Sequence, residues 1–226
     1  MSENVSIRCG LIGCMGKMGQ EIRDYFTTFG DRFVLEVDKG FINESDRPDV
    51  IIDFSNPAAL DSTIELCKEY NSPLVIGTTG LNEENLARLK DLSKNVAVVQ
   101  SYNFADGINI IREILEMFGR YFDNWDGAIV EIHHNQKKDA PSGTAIMLKN
   151  SLGRELPISS LRVGGVFGEH TIIFSNAGEV VRISHTALSR RAFAIGVRKA
   201  ALFAIQAGKG FYSYRDVLRN SGNHCE

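Results

Sequence analysis

Ile7-Arg8-Cys9-Gly10-Leu11-Ile12-Gly13-Cys14-Met15-Gly16-Lys17-Met18-Gly19 is the stretch of this 226-residue chain that decides its fold. The apolar run ending at Ile12 fits a buried strand, and Met18, Ile22, Tyr25, Phe26 and Phe29 then recur at helical spacing. A glycine-rich turn between a strand and a helix is the setting in which such a turn binds a dinucleotide. Gly13 makes the tight turn, Gly16 lets backbone approach a pyrophosphate, and Gly19 lets the helix pack on the strand. The N–H groups of the helix start then face the phosphates. The spacing is G-x-x-G-x-x-G, with Met15 where the commoner fingerprint has its second glycine, so a plain strand-to-helix turn is the competing reading.

Working outward, residues 32–37 read as a second strand that ends at Asp38-Lys39. A dinucleotide fold reads the adenosine ribose there: an acid accepts from the 2′-hydroxyl, and a cation accommodates a 2′-phosphate. Having both charges fits either NADH or NADPH. Residues 49–54, 74–77 and 95–99 read as further strands, with helices over 58–70 and 83–93. This alternation implies a parallel sheet with right-handed crossovers, which binds ligands outside the carboxyl ends of its strands. Gly77-Thr78-Thr79 and Ser101-Tyr102-Asn103-Phe104 sit at such ends and are assigned to the nicotinamide and its ribose. Phe104 packs either on that ring or in the core.

The texture changes after residue 104. Helices are expected over 106–118 and 142–152, and strands over 125–132, 161–166, 171–175 and 179–185. The expected class is therefore α/β: a Rossmann-type dinucleotide-binding domain plus a smaller α+β domain with an open mixed sheet, for substrate binding and oligomerisation. The boundaries read as 1–104 with 190–226 for the first and 105–189 for the second. Residues 189–207 form a long helix, and 211–218 pack back on the first domain.

Chemistry concentrates in Glu131-Ile132-His133-His134-Asn135-Gln136-Lys137-Lys138-Asp139-Ala140-Pro141-Ser142-Gly143-Thr144-Ala145. An imidazole delivers a proton near neutral pH. Lysines and the N–H groups of a helix start both attract carboxylates. Adjacent histidines point to opposite sides of a strand, and no third ligand follows at suitable spacing, so no metal is expected. Gly168-Glu169-His170 reads as a loop that helps close the site, His185 as structural, and His224 as part of a terminal tail.

Bulk properties exclude other classes. A formal net charge of −3 gives no nucleic-acid or anionic-membrane surface. No apolar run approaches the roughly 20 residues of a membrane span, and residues 1–5 lack the pattern of a secretory signal. Cys9, Cys14, Cys67 and Cys225 have no paired spacing, which fits free thiols in a reducing cytosol.

Taken together, Gly13 to Gly19, Gly77-Thr78-Thr79-Gly80, Asn103-Phe104, Glu131-Ile132-His133-His134 through Lys137, Asp139 through Ala145 and Gly168-Glu169-His170 resemble the dihydrodipicolinate reductase family nearly end to end. The His-His-x-x-Lys-x-Asp-Ala-Pro-Ser-Gly-Thr string is the most specific element. The resemblance implies a cytoplasmic homotetramer of the diaminopimelate route to lysine, using NADH or NADPH to reduce a cyclic imine dicarboxylate. It assigns His133 as proton donor and acceptor, Lys137 as proton donor, and His134, Lys137, Gly143 and Thr144 to the substrate. It assigns Gly13, Cys14, Met15, Gly16, Lys17, Met18, Asp38, Lys39, Gly77, Thr78, Thr79, Ser101, Tyr102, Asn103 and Phe104 to the cofactor. The segment between Lys39 and Asp49 is short for the family. The competing function is another two-domain NAD(P)-dependent amino-acid or imine oxidoreductase, which has no use for an anion cradle at Lys137 and Thr144.

Overall fold

The computed structural model describes residues 5–222; His224 and Cys225 lie outside that range. The chain divides into two units, one running to Phe104 and resuming at Phe193, the other spanning Ala105–Ala192.

The first unit opens with β1 (Arg8–Ile12), α1 (Lys17–Thr27), β2 (Arg32–Asp38), β3 (Phe41–Glu44), β4 (Val50–Asp53), α2 (Leu60–Tyr70), β5 (Leu74–Ile76), α3 (Glu83–Leu92) and β6 (Ala97–Gln100). All of its neighbouring strands pair in parallel except β2 with β3. The strands read as continuous apolar runs because both faces of the sheet are covered. Cys9, Leu11, Val50, Ile52 and Val75 face a core that also holds Ile22 and Phe26 of α1. Ile12, Ile51, Leu74 and Ile76 face a second core with Leu60 and Ile64 of α2 and Leu89 of α3.

The second unit contains α4 (Asp106–Phe118), β7 (Asp126–His133), α5 (Gly143–Ser151), β8 (Ile158–Arg162), β9 (Glu169–Ser175) and β10 (Val180–Thr186). Its sheet runs β10-β9-β7-β8, with β7 and β8 parallel and the other pairs antiparallel. This is the mixed sheet expected. Two strands, β8 and β9, depart from the expectation. β8 begins earlier and stops at Arg162, because Gly164 takes φ +53° and turns the chain. β9 begins at Glu169, so Glu169 and His170 belong to a strand and not to a loop.

Helix α6 (Arg191–Gln206), β11 (Gly210–Ser213) and α7 (Tyr214–Gly222) follow. β11 adds in parallel to β6, completing the seven-strand order β11-β6-β5-β4-β1-β2-β3. β3, unforeseen in the short segment after Lys39, is an exposed antiparallel edge. Among the described residues no helix is long and apolar enough to cross a membrane.

One buried ion pair ties α6 to the turn before β2. Arg198 Nε donates to Asp31 Oδ2 at 2.8 Å, and Asp31 Oδ1 also accepts from the Ile7 amide at 3.0 Å. The two residues are 5% and 3% exposed. Removing one member strands the other charge away from water, so Arg198→Ala should cost about 3–5 kcal/mol in urea unfolding. A loss below about 1 kcal/mol, the scale of a surface pair, would refute that account.

Candidate active site

In the first unit, the assigned cofactor residues collect at the carboxyl ends of β1, β2, β5 and β6. Gly13 follows β1 with φ +82°, and its amide donates to the Val37 carbonyl at 2.8 Å. A Cβ there would lie 2.6 Å from the Phe54 carbonyl oxygen, and one on Gly19 would lie 2.2 Å from the Gly13 carbonyl oxygen. Both positions require glycine on steric grounds. Gly16 caps α1 in extended conformation, with no side chain on the first N–H groups and no acid in the first turn. Lys17 is exposed and Met18 half-buried beside it. An uncapped helix start behind a turn that excludes any Cβ fits a dinucleotide pyrophosphate. The Cys14 side chain is buried, and burial pushes its thiol up, so it enters as packing and not as a nucleophile.

Asp38 stands at the end of β2, where its two oxygens accept from the Met15 and Lys39 amides, each at 2.8 Å. The carboxylate thus ties the glycine turn to the end of β2, while Lys39 is exposed. Gly77 has room for no side chain, since a Cβ would meet the Phe54 ring at 2.3 Å. Thr78 is buried and Thr79 exposed. Ser101 Oγ donates to the Asn103 carbonyl at 2.8 Å, turning the chain beyond β6 and leaving Tyr102 exposed. Phe104 resolves in favour of the core: its side chain is 1% exposed, with ring centroids 5.6 Å from Phe54 and 5.3 Å from Tyr214. A nicotinamide therefore cannot stack on that ring, and only its backbone can serve a cofactor.

Sequence reasoning missed Asp53. It is fully buried at the end of β4 and accepts from Ser55 Oγ at 2.6 Å, Thr63 Oγ1 at 2.7 Å, Thr78 Oγ1 at 2.8 Å and the Ser55 amide at 2.9 Å. These bonds fix Thr78 against the turn after β4. The available signal was an aspartate closing the apolar run Val50-Ile51-Ile52, where a buried carboxylate must find donors.

In the second unit, strand alternation puts Glu131 and His133 on the buried face of β7. Register does the rest, setting Glu131 opposite Ser160 of β8 and His170 of β9, and His133 opposite Arg162. His133 Nδ1 is hydrogen-bonded to Glu131 Oε2. Arg162 grips the same carboxylate, with Nη1 on Oε2 at 3.0 Å and Nη2 on Oε1 at 2.8 Å. The Ser142 amide adds a bond to Oε1 at 3.3 Å. Ser142 Oγ caps α5 at the Ala145 amide and meets His170 Nε2 at 3.1 Å. The His170 ring stands edge-on to His133, with centroids 5.1 Å apart.

Electrostatics follow from this packing. Burial pushes the Glu131 carboxyl up, but bonds from Arg162, Ser160 and His133 outweigh it and hold the group at about 2. Burial lowers His133 below the usual histidine value, against the pull of Glu131. Burial also takes His170 down to about 3, reinforced by the charge of His133.

Lys137 lies in the turn after β7, where its ammonium pairs with Asp139 at 2.9 Å. His134 sits half-buried with no partner for Nδ1, and Gly143 and Thr144 open α5. Sequence spacing offers no third ligand beside His133 and His134, but the fold supplies a different trio. Strand pairing brings one ligand atom each from Glu131, His133 and His170 within 4.8 Å of one another. Arg162 nevertheless occupies both Glu131 oxygens, which makes the cluster a hydrogen-bond network and disfavours a cation.

Comparison with known proteins places this geometry in context. Residues 31–104 match the family described as dihydrodipicolinate reductase, N-terminus, and residues 107–218 match its C-terminus. The 4-hydroxy-tetrahydrodipicolinate reductase of Thermosipho africanus is 52% identical over 215 residues, covering 95% of this chain and 99% of that one. The protein of the same name from Bdellovibrio bacteriovorus is 38% identical over 221 residues, covering 94% and 96%. Dipicolinate-bound dihydrodipicolinate reductase from Paenisporosarcina sp. TG-14 superposes with a TM-score of 0.78 at 25% identity, covering 92% and 98%. An amine dehydrogenase from Mycobacterium smegmatis, at TM-score 0.64 and 11% identity, shares the fold alone.

The His170 environment predicts a pH dependence. The unfolded chain takes up this proton near 6.5, whereas the folded chain holds it off until about 3. Its contribution is therefore complete above 6.5 and is lost as pH falls, at up to about 1.4 kcal/mol per pH unit. Urea unfolding followed by fluorescence of Trp125, the one tryptophan of the chain, should lose that slope between pH 6.5 and 4.5 in His170→Asn. An unchanged slope would mean that His170 is protonated in the fold.

Proposed function

The chain belongs to the dihydrodipicolinate reductase family, and we propose that it reduces 4-hydroxy-tetrahydrodipicolinate, via dihydrodipicolinate, to tetrahydrodipicolinate in the diaminopimelate route of lysine biosynthesis. A nicotinamide cofactor, NADH or NADPH, supplies the hydride when bound. The observation that carries the reading is a buried imidazole, tied through one nitrogen to a carboxylate, on the strand that leads into Lys137 and the α5 start.

The cofactor is held by Gly13, Cys14, Met15, Gly16, Lys17 and Met18 at the pyrophosphate, and by Asp38 and Lys39 at the adenosine ribose. Gly77, Thr78, Thr79, Ser101, Tyr102, Asn103 and the Phe104 backbone serve the nicotinamide end. The Lys39 ammonium stands ready for a 2′-phosphate and Asp38 for a free 2′-hydroxyl, which supports use of both cofactors.

The substrate is a small ring with two carboxylates. One carboxylate rests on the α5 start at Gly143 and Thr144, beside His134 and Lys137, through charge-assisted hydrogen bonds. Lys137 can exchange its present partner cheaply, because the Asp139 side chain is 56% exposed. Reduction of the conjugated imine at ring C4 leaves an enamine that must gain one proton. His133 delivers it, backed by Lys137. The active species is a cytoplasmic homotetramer.

Incubation with the hydroxylated cyclic imine and NADPH, followed by loss of reduced-nicotinamide absorbance, tests the activity directly; no turnover with either cofactor would reject it. His133→Gln should lower kcat by on the order of 10²- to 10⁴-fold with cofactor affinity unchanged. Unaltered kcat would remove His133 from the reaction. Lys137→Ala should lower kcat and raise the substrate KM together, and an unmoved KM would dismiss its carboxylate contact.

A further inference from the structure

The partner of His133 Nδ1 decides which nitrogen of that ring exchanges a proton. Neutral imidazole has one N–H, and the nitrogen that keeps it is set by the partner of the other. Glu131 is held at about 2, so it is ionised at any working pH and can only accept. Its Oε2 is bonded to His133 Nδ1, which must therefore carry the hydrogen. Nε2 is left as the nitrogen that gains and loses the proton. The other side of the ring meets Gly168, where an added Cβ would stand 3.1 Å from Nε2. A glycine at this position therefore leaves the space beside Nε2 open.

We propose that Glu131, clamped by Arg162, is a positioning residue that locks His133 as the Nδ1–H tautomer, so that Nε2 beside Gly168 is the atom that passes a proton to the substrate. This deepens the reading of His133 as proton donor and rests on it. The transfer is balanced: Nε2–H of the imidazolium breaks, a new bond to the enamine forms, and the ring returns to the neutral Nδ1–H form. Glu131 keeps its charge throughout and takes no proton.

Several charged groups act on the imidazolium. Glu131 on its own strand favours it. Arg162 of β8 and Lys137 of the following turn oppose it, the latter paired with Asp139. His170 of β9 stands edge-on to the ring, and burial keeps it neutral. Replacing Glu131 by glutamine removes that favourable charge. The protonated fraction of His133 then falls at every pH, and the falling limb of the kcat profile moves to lower pH.

The test has two arms. Nitrogen-15 NMR of histidine-labelled wild-type enzyme, with His133 assigned by loss of its signals in His133→Gln, should show a protonated Nδ1 and an unprotonated Nε2 above the titration. The opposite tautomer in the wild-type enzyme would overturn the proposal. Glu131→Gln should lower kcat at least about tenfold, move the falling limb to lower pH and leave cofactor affinity unchanged, while Glu131→Asp should restore part of the profile. A Glu131→Gln profile that superposes on wild type would also overturn it. Loss of kcat with an unmoved limb in Glu131→Gln, or no recovery in Glu131→Asp, would reduce Glu131 to a structural anchor and reject the positioning role. If His133→Gln were fully active, the proton-donor reading would fail, while the NMR arm would still decide the tautomer.

Discussion

A carboxylate with no exposure to water is the constraint around which the second unit is built. Taking the Glu131 charge out of solvent is costly unless its oxygens are matched by donors of good geometry. Arg162, His133, Ser160 and the Ser142 amide supply them. These donors come from β8, from β7 itself and from the connection into α5. One charge thus fixes the spacing of two strands, the start of a helix and the orientation of an imidazole. A neutral residue of the same shape would leave the half-buried Arg162 without its anion.

The first unit repeats the device at Asp53. Its four hydrogen bonds come from residues scattered between positions 55 and 78, and they anchor the turns that follow β4 and β5. Asp38 does a lighter version of the same work, bonding the Met15 amide from the end of β2. The carboxyl edge of the sheet is therefore shaped by acids acting on backbone and hydroxyl groups, with glycines where any side chain would collide. Hydrogen bonds of this kind hold turns in one conformation, which reduces what must be ordered when a ligand arrives.

Much of the first unit was legible because its signals are local. A buried strand, a glycine turn and a helix lie within Ile7 to Phe26, and period and turn chemistry suffice to read them. The string from His133 to Thr144 was legible for the same reason. What escaped was whatever depends on pairing across distance. His170 reads as part of a loop in sequence, yet antiparallel register sets it opposite Glu131. Arg162 lies 31 positions beyond Glu131 and carries no motif of its own. Phe104 was ambiguous until Tyr214 was seen to close over it from the other end of the chain. β3 was missed because its four residues are all exposed and show no apolar alternation.

The order in which the chain leaves the ribosome gives the Arg198–Asp31 pair a temporal meaning. Asp31 emerges early, but its guanidinium partner, the β11 strand that completes the sheet and the Tyr214 ring all follow the entire second unit. Until those arrive, the β6 edge lacks its neighbouring strand and the Asp31 carboxylate lacks its guanidinium. Residues 105–192, contiguous in the chain and with their own sheet, are free to fold first during translation, even though they are made second.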